Sequence, residues 1–306
     1  MAKKRNKLVK KHKKNNFSFG SSYFLLFTVF VFILVLGFLK YNNFDYSKKY
    51  KLNKDTSKIS AKSAELITYP SETPRPSETP VPLTGYCLKV PILMYHNIQP
   101  QSNAKQLKQT ALSVDNEIFD SQMQYLSQNG YTSLFVNELI NALINNQSLP
   151  EKSIVITMDD GYEDNFVYAL PILKKYNLKA NIMLSSGLMN NSNMLSWDEV
   201  NLLKATGLIY FTNHTWSHHS VIRGSQDKIS MEIDVAKKQI EENTGQTVNI
   251  FTYPYGEHNK TAENTLIEKG YVGAFTEIPG FYQCDSFRMT LHRTRIGNSS
   301  LSSYGL

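Results

Sequence analysis

Three of the chain's 7 histidines crowd into the stretch "NHTWSHHS" at residues 213–220. His214 and His218 stand four apart, a spacing that puts both imidazoles on one face if the segment takes a helical turn. Two histidines and one carboxylate make a common catalytic zinc shell, with a position left open for water. His219 would point away from that face. Carboxylates are available in "TMDDGYEDN" at residues 157–165, where Asp159 and Asp160 follow the apolar run "SIVITM". Adjacent side chains at a strand end face different ways, so one can ligate a cation while the other accepts a proton. Asp-Asp-Gly is also ordinary turn chemistry ahead of a helix.

Such groups act together only if a scaffold delivers them to one place. Apolar strands read as "KVPILMY", "SIVITM", "ANIMLSS", "LIYFTN", "NIFTY" and "YVGAF", with helical segments between them. "SWDEVNLLKATG" opens on a capping-box spacing, Ser196 to Glu199, and closes on Gly207. "KISMEIDVAKKQIEENTG" puts Ile229, Ile233, Ala236 and Ile240 on one face before Gly245. Pro171 reads as a kink or a late first-turn residue. The alternation predicts one α/β domain, residues 86–306, with a parallel sheet or a β/α barrel. His96, Asp159 with Asp160, His214, and Pro254 with Tyr255 each sit just past the carboxyl end of a predicted strand. In a β/α barrel those ends share one face, where sites are built.

The formal charge of +7 is concentrated at one end. Residues 1–50 carry 11 Lys/Arg against one acid, Asp45, leaving 22 of the 33 basic and 25 of the 26 acidic residues for the remainder. The body is thus slightly acidic, and a protein binding nucleic acid through it is not expected. Residues 1–20 form a basic segment, and "SYFLLFTVFVFILVLGFL" follows without a charge. At ~1.5 Å per residue the run just reaches across a hydrocarbon core of ~30 Å. Residues 21–39 therefore predict a single-pass signal anchor, with the body extracellular; secretion after signal cleavage is the alternative. Residues 40–85 read as an extracellular linker, in which PSETP occurs twice and the prolines keep the chain extended. Cys87 and Cys284 suit an exported chain, either as a disulfide tying the ends of the body or as two buried thiols.

"TMDDG", "HTWSH" and "YPYG", in this order and at these separations, resemble the polysaccharide deacetylases, the NodB-homology domain of carbohydrate esterase family 4. The resemblance runs over residues 89–296 and includes "VPILMYHNI" and "YALPILKKYNLKANIML". The opening "PILMYH" is similar to the branch acting on extracellular poly-N-acetylglucosamine. The resemblance implies a distorted (β/α) barrel in which Asp160, His214 and His218 bind a divalent metal, zinc first. It makes Asp159 the general base toward water at the metal, and it puts Tyr255 where the family uses a backbone N–H to hold the oxyanion.

Two positions depart from that pattern. Many members carry an Arg two residues before the motif proline, to orient the base; Thr252 stands there. Many supply a His as general acid from a late Leu-x-His strand. "RMTLHRTRI" matches in part, with Thr290 two before His292, so His292 is a candidate acid. The branch with "YH" near its start often has Leu-x-Arg instead, which aligns Leu291 and Arg293 and leaves His292 a bystander. His96 is a candidate for touching substrate or orienting a neighbour, and Trp216 for stacking on a sugar, against core packing for its indole.

The expected function is metal-dependent hydrolysis of N-acetyl groups from an N-acetylglucosamine-containing envelope or matrix polysaccharide, peptidoglycan or poly-N-acetylglucosamine, releasing acetate. The alternatives are a non-catalytic carbohydrate-binding protein on the same fold, or a deacetylase of O-acetylated or short chitooligosaccharide substrates.

Overall fold

The computed structural model describes residues 83–306. The basic segment, the apolar run at 21–39 and the proline-rich spacer up to residue 82 lie outside the described residues. Among the described residues no helix is long and apolar enough to cross a membrane.

The chain runs through β1 (Cys87–Lys89), β2 (Ile92–Tyr95), β3 (Asn97–Ile98), α1 (Gln101–Gln106), β4 (Ser113–Val114), α2 (Asn116–Gln128), β5 (Thr132–Leu134) and α3 (Val136–Ile144). Strand β6 (Ser153–Asp160) leads into α4 (Leu170–Tyr176), β7 (Ala180–Leu184), α5 (Trp197–Ala205), β8 (Ile209–Asn213) and α6 (Gln226–Thr244). The last elements are β9 (Ile250–Thr252), α7 (Lys260–Glu268), β10 (Gly273–Phe275), β11 (Tyr282–Cys284) and β12 (Thr294–Arg295). Local signals set many of these bounds. Ser196 and Glu199 exchange both capping-box bonds at α5, and Gly245 ends α6 at φ 63. Pro171 can donate nothing to the preceding turn, which widens into a π turn at Asn165–Ala169.

The main sheet has the order β10-β9-β8-β7-β6-β2-β12, with all neighbours parallel. All eight residues of β6 are buried, as expected of a parallel strand covered on both faces. β5 pairs with β6 over Ser153–Val155, and β7 takes over the same edge from Thr157 onward. Asn181 fills the junction: its Oδ1 accepts from Val136 N at 2.9 Å, and its Nδ2 donates to Ile156 O at 3.0 Å.

The sheet curls until its two edges share one segment. Leu291 N donates to Ala274 O on β10 at 2.9 Å, and a few residues later Ile296 N donates to Met94 O on β2 at 3.0 Å. Inside the curl, Val155, Met183, Ile250, Phe275 and Leu291 pack with Leu139 and Ile140 of α3 in one apolar cluster. The next residues on the same face of β6 are Thr157 and Asp159, so the filling turns polar toward the carboxyl ends of the strands. At the edge of the body β1 pairs antiparallel with β11, Cys87 opposite Cys284. The two form a disulfide that links positions 197 residues apart, so of the two cysteine readings it is the pairing that occurs.

Candidate active site

Asp159 ends the inner face of β6 and is fully buried. A buried carboxylate needs partners, and Arg293 supplies them: Nη1 donates to Oδ1 at 2.6 Å and Nη2 to Oδ2 at 2.8 Å. The guanidinium is itself anchored, Nε to Thr276 O at 2.9 Å and Nη1 to Thr157 Oγ1 at 3.2 Å. Burial alone would raise the Asp159 carboxyl. The charge and hydrogen bonds of Arg293, followed by the charges of His96 and His214, bring it below the usual carboxylate range.

Strict alternation would turn Asp160 away from that face. Its φ of 72° re-aims the side chain toward the following loops. There Asp160 Oδ1 lies 3.5 Å from His214 Nε2 and 3.3 Å from His218 Nε2. The two histidines meet, but not on a helical face as their spacing suggests. Residues 214–220 are a loop, with Thr215 at φ 65° and His218 at φ 58°. Left-handed backbone at non-glycine residues costs of order 1–2 kcal/mol each. Asp160, Thr215, His218 and Tyr255 (φ 60°) place four such residues around one cluster.

His214 Nδ1 lies 2.8 Å from Thr252 O. A carbonyl only accepts, so Nδ1 carries the hydrogen, and the lone pair of the neutral ring sits on Nε2, toward Asp160. Burial pulls His218 down to about 4 against the opposing charge of Asp160. For His214 burial also acts downward, but the adjoining Asp160 carboxylate and the charge of Asp159 leave it raised. Asp160 is held far below the ordinary range, because the charge of His218, followed by the neighbouring His214 and His96, outweighs burial. Two ring nitrogens and a carboxylate oxygen thus converge, with ligand atoms all within 4.8 Å of one another. Asp160 Oδ1 is buried and accepts no hydrogen bond. Lone pairs gathered this way need a proton or a cation among them, and the N, N, O donor set fits a divalent transition metal.

The other candidates divide. His96 is partly exposed beside this cluster and bears on Asp159, Asp160 and His218 through its charge. Tyr255 lies in the turn after β9, its ring edge-on to His218 at 4.6 Å. Thr252 contributes its carbonyl to His214, and the guanidinium that many family members place at that position arrives instead from Arg293. On the extended segment that sends Arg293 inward, the neighbouring His292 faces the other side. Its ring stacks on Phe287 at 4.8 Å and abuts Gly280. The indole of Trp216 covers Gly187, whose Cβ, if present, would meet the ring at 2.5 Å. His219 turns away, its Nε2 on Arg223 O at 2.8 Å. Two supporting residues escape the sequence motifs. Gln283 grips both backbone polar groups of His292, at 3.0 and 3.1 Å, and no local pattern announces it. Glu232 is an acid on the apolar stripe of α6, and that misplacement was a usable signal.

The profile of the polysaccharide deacetylases matches residues 146–274. A Bacillus subtilis (strain 168) protein named as a polysaccharide deacetylase, YxkH, is 30% identical over 218 residues, which are 71% of this chain and 75% of that protein. A Staphylococcus epidermidis poly-beta-1,6-N-acetyl-D-glucosamine N-deacetylase is 27% identical over 188 residues, 57% of this chain and 64% of that protein's length. Among solved structures, the Streptococcus pyogenes deacetylase PplD in complex with acetate aligns with a TM-score of 0.66 and 29% identity, over 71% of this chain and 96% of that one. The chain belongs to the polysaccharide deacetylase family and is an enzyme of the deacetylase class.

Proposed function

We propose that this protein is a metal-dependent N-deacetylase of an N-acetylglucosamine polymer, built on the distorted β/α barrel of its family and held at the outer face of a membrane. The observation that carries the reading is the juxtaposition of an Arg293-held carboxylate, Asp159, with the Asp160–His214–His218 cluster. A divalent cation held by those three residues, zinc first, supplies Lewis acidity toward the acyl carbonyl and lowers the pKa of water. Asp159, kept ionised by Arg293, takes the proton of the attacking water. The turn at Tyr255 offers its backbone N–H to the developing oxyanion, a contact typically worth about 3–4 kcal/mol. His96, partly exposed just after β2, acts through its charge on both aspartates and is the group assigned to protonate the leaving amine, in preference to His292, whose ring stacks on Phe287. Acetate leaves and a free amine remains on the sugar.

The polymer is favoured by the staphylococcal relative, named for poly-beta-1,6-N-acetyl-D-glucosamine. The charge-free run at 21–39 behind a basic segment supports the membrane anchor, and the proline-rich spacer suits work on a polymer beyond it. The test is acetate release by the purified protein from β-1,6-linked N-acetylglucosamine oligomers, peptidoglycan fragments and O-acetylated xylan. Release from the first with little from the other two is expected. Preference for peptidoglycan would reassign the polymer, and preference for xylan would overturn N-deacetylation.

A further inference from the structure

The two histidines of the cluster are secured differently. His214 is buried and its Nδ1 is fixed on the Thr252 carbonyl. The His218 side chain is 15% exposed, and no described residue hydrogen-bonds its Nδ1. Besides its approach to Asp160, its ring meets the rings of His214 and Tyr255 edge-on, at 4.8 and 4.6 Å. Its own backbone is left-handed, at φ 58°. Something must keep this loop from relaxing, because a histidine free to swing contributes little to a shared ligand site.

The tether is on α6. Glu232 is fully buried and spans the residue before His218: Oε2 accepts from Ser217 N at 2.8 Å and Oε1 from Ser217 Oγ at 2.6 Å. Lys228 stands 4.0 Å from Oε1, one helical turn away. The loop's other end is held on the same turn of α6, where Asn213 Nδ2 donates to Ile233 O at 2.9 Å while its Oδ1 accepts from Thr215 N at 2.8 Å. Thr215 therefore lies between anchors supplied by positions 232 and 233, and His218 directly follows the second of them. A carboxyl on the apolar stripe of a helix is costly unless bonded at both oxygens, and here both bonds go to one loop residue.

We propose that Glu232 is a positioning residue that sets cation affinity by clamping Ser217 and thereby His218; this rests on the metal reading given above. Glutamine can keep the clamp, accepting from Ser217 N with its oxygen and donating to Ser217 Oγ with its amide. Methionine fills the space and holds nothing.

The test is zinc titration of the purified full chain against a chromophoric chelator, with melting temperatures of the metal-free proteins taken alongside. Wild type is expected to bind one zinc per chain, and H218A to lose it. E232M should bind about 10–100-fold more weakly, with E232Q within about threefold of wild type. A purely structural role would lower the metal-free melting temperature and leave the dissociation constant alone, and that result overturns the proposal. If E232M does not fold, E232A, too short to reach either Ser217 group, decides: weaker binding supports the clamp, and wild-type affinity removes it. Zinc failing to bind wild type, or binding H218A equally well, would sink the metal reading itself and not the clamp alone.

Discussion

Arg293 and Asp159 form a two-point ion pair with no solvent exposure at the guanidinium, at 2.6 and 2.8 Å, between residues 134 apart in sequence. The same strand segment that bridges the sheet's edges thus also fixes the Asp159 carboxylate. R293K replaces a planar fork with a single point charge and leaves one Asp159 oxygen unbonded. A loss of about 100-fold or more in kcat/KM is expected, in line with mispositioned acid–base groups. R293M strands a buried carboxylate, at a cost of about 3–5 kcal/mol, visible as a lower melting temperature. Unchanged kinetics in R293K would refute the orienting role.

Exchange of His96 and of His292 separates the two histidines. H96A should lower kcat by about 10²-fold or more, the usual scale of a lost proton donor. H292A removes a ring stacked on Phe287, so it should lower the melting temperature while leaving kcat close to wild type. The reverse pattern would return the acid to His292.

Reduction of the Cys87–Cys284 disulfide should destabilise the body while leaving the site chemistry intact. It closes a loop spanning 197 positions, and such links are typically worth about 2–4 kcal/mol. For a body of this size that means a fall of roughly 5–15 °C in melting temperature. Calorimetry with and without reductant, or on C284S, checks it; an unchanged melting temperature would contradict it.

Asp164 should make stability fall as pH rises. Burial pushes its carboxyl well above the ordinary value and nearby Glu163 adds to this, against hydrogen bonds from the Ile98 backbone and Asn165. The folded state therefore binds its proton more tightly than the unfolded chain does. The contribution is fully present below the unfolded value of about 4 and is lost as pH climbs through the folded pKa. D164N should flatten this slope in melting temperatures measured between pH 4 and pH 8. An identical slope would show that Asp164 is not its source.

The strands, most helices and the convergence of polar groups at one rim were legible in the sequence because they rest on local periodicity and caps. Ser196, Gly245 and the run "SIVITM" behave as their patterns predict. His214 and His218 were singled out by their spacing but for a partly mistaken reason. Two left-handed residues, not a helical turn, bring His214 and His218 together, and side-chain type does not announce such backbone. Arg293 was visible only as an alternative alignment, because its pairing with Asp159 spans most of the body and depends on how the sheet curls. Gln283 acts on the backbone of His292 with no local pattern to announce it, while Glu232 shows in the sequence only as an acid on an apolar stripe, its target Ser217 being beyond spacing rules.

The central claim is that Asp160, His214 and His218 hold the cation that deacetylation requires, with Asp159 as the base. The most direct measurement is acetate release from a β-1,6-linked N-acetylglucosamine oligomer by wild type and D159N, as purified, after chelation and after zinc is restored. Wild type should fall silent on chelation and recover with zinc, while D159N binds zinc and stays silent. Release that survives complete chelation, or a D159N protein as active as wild type, would contradict it.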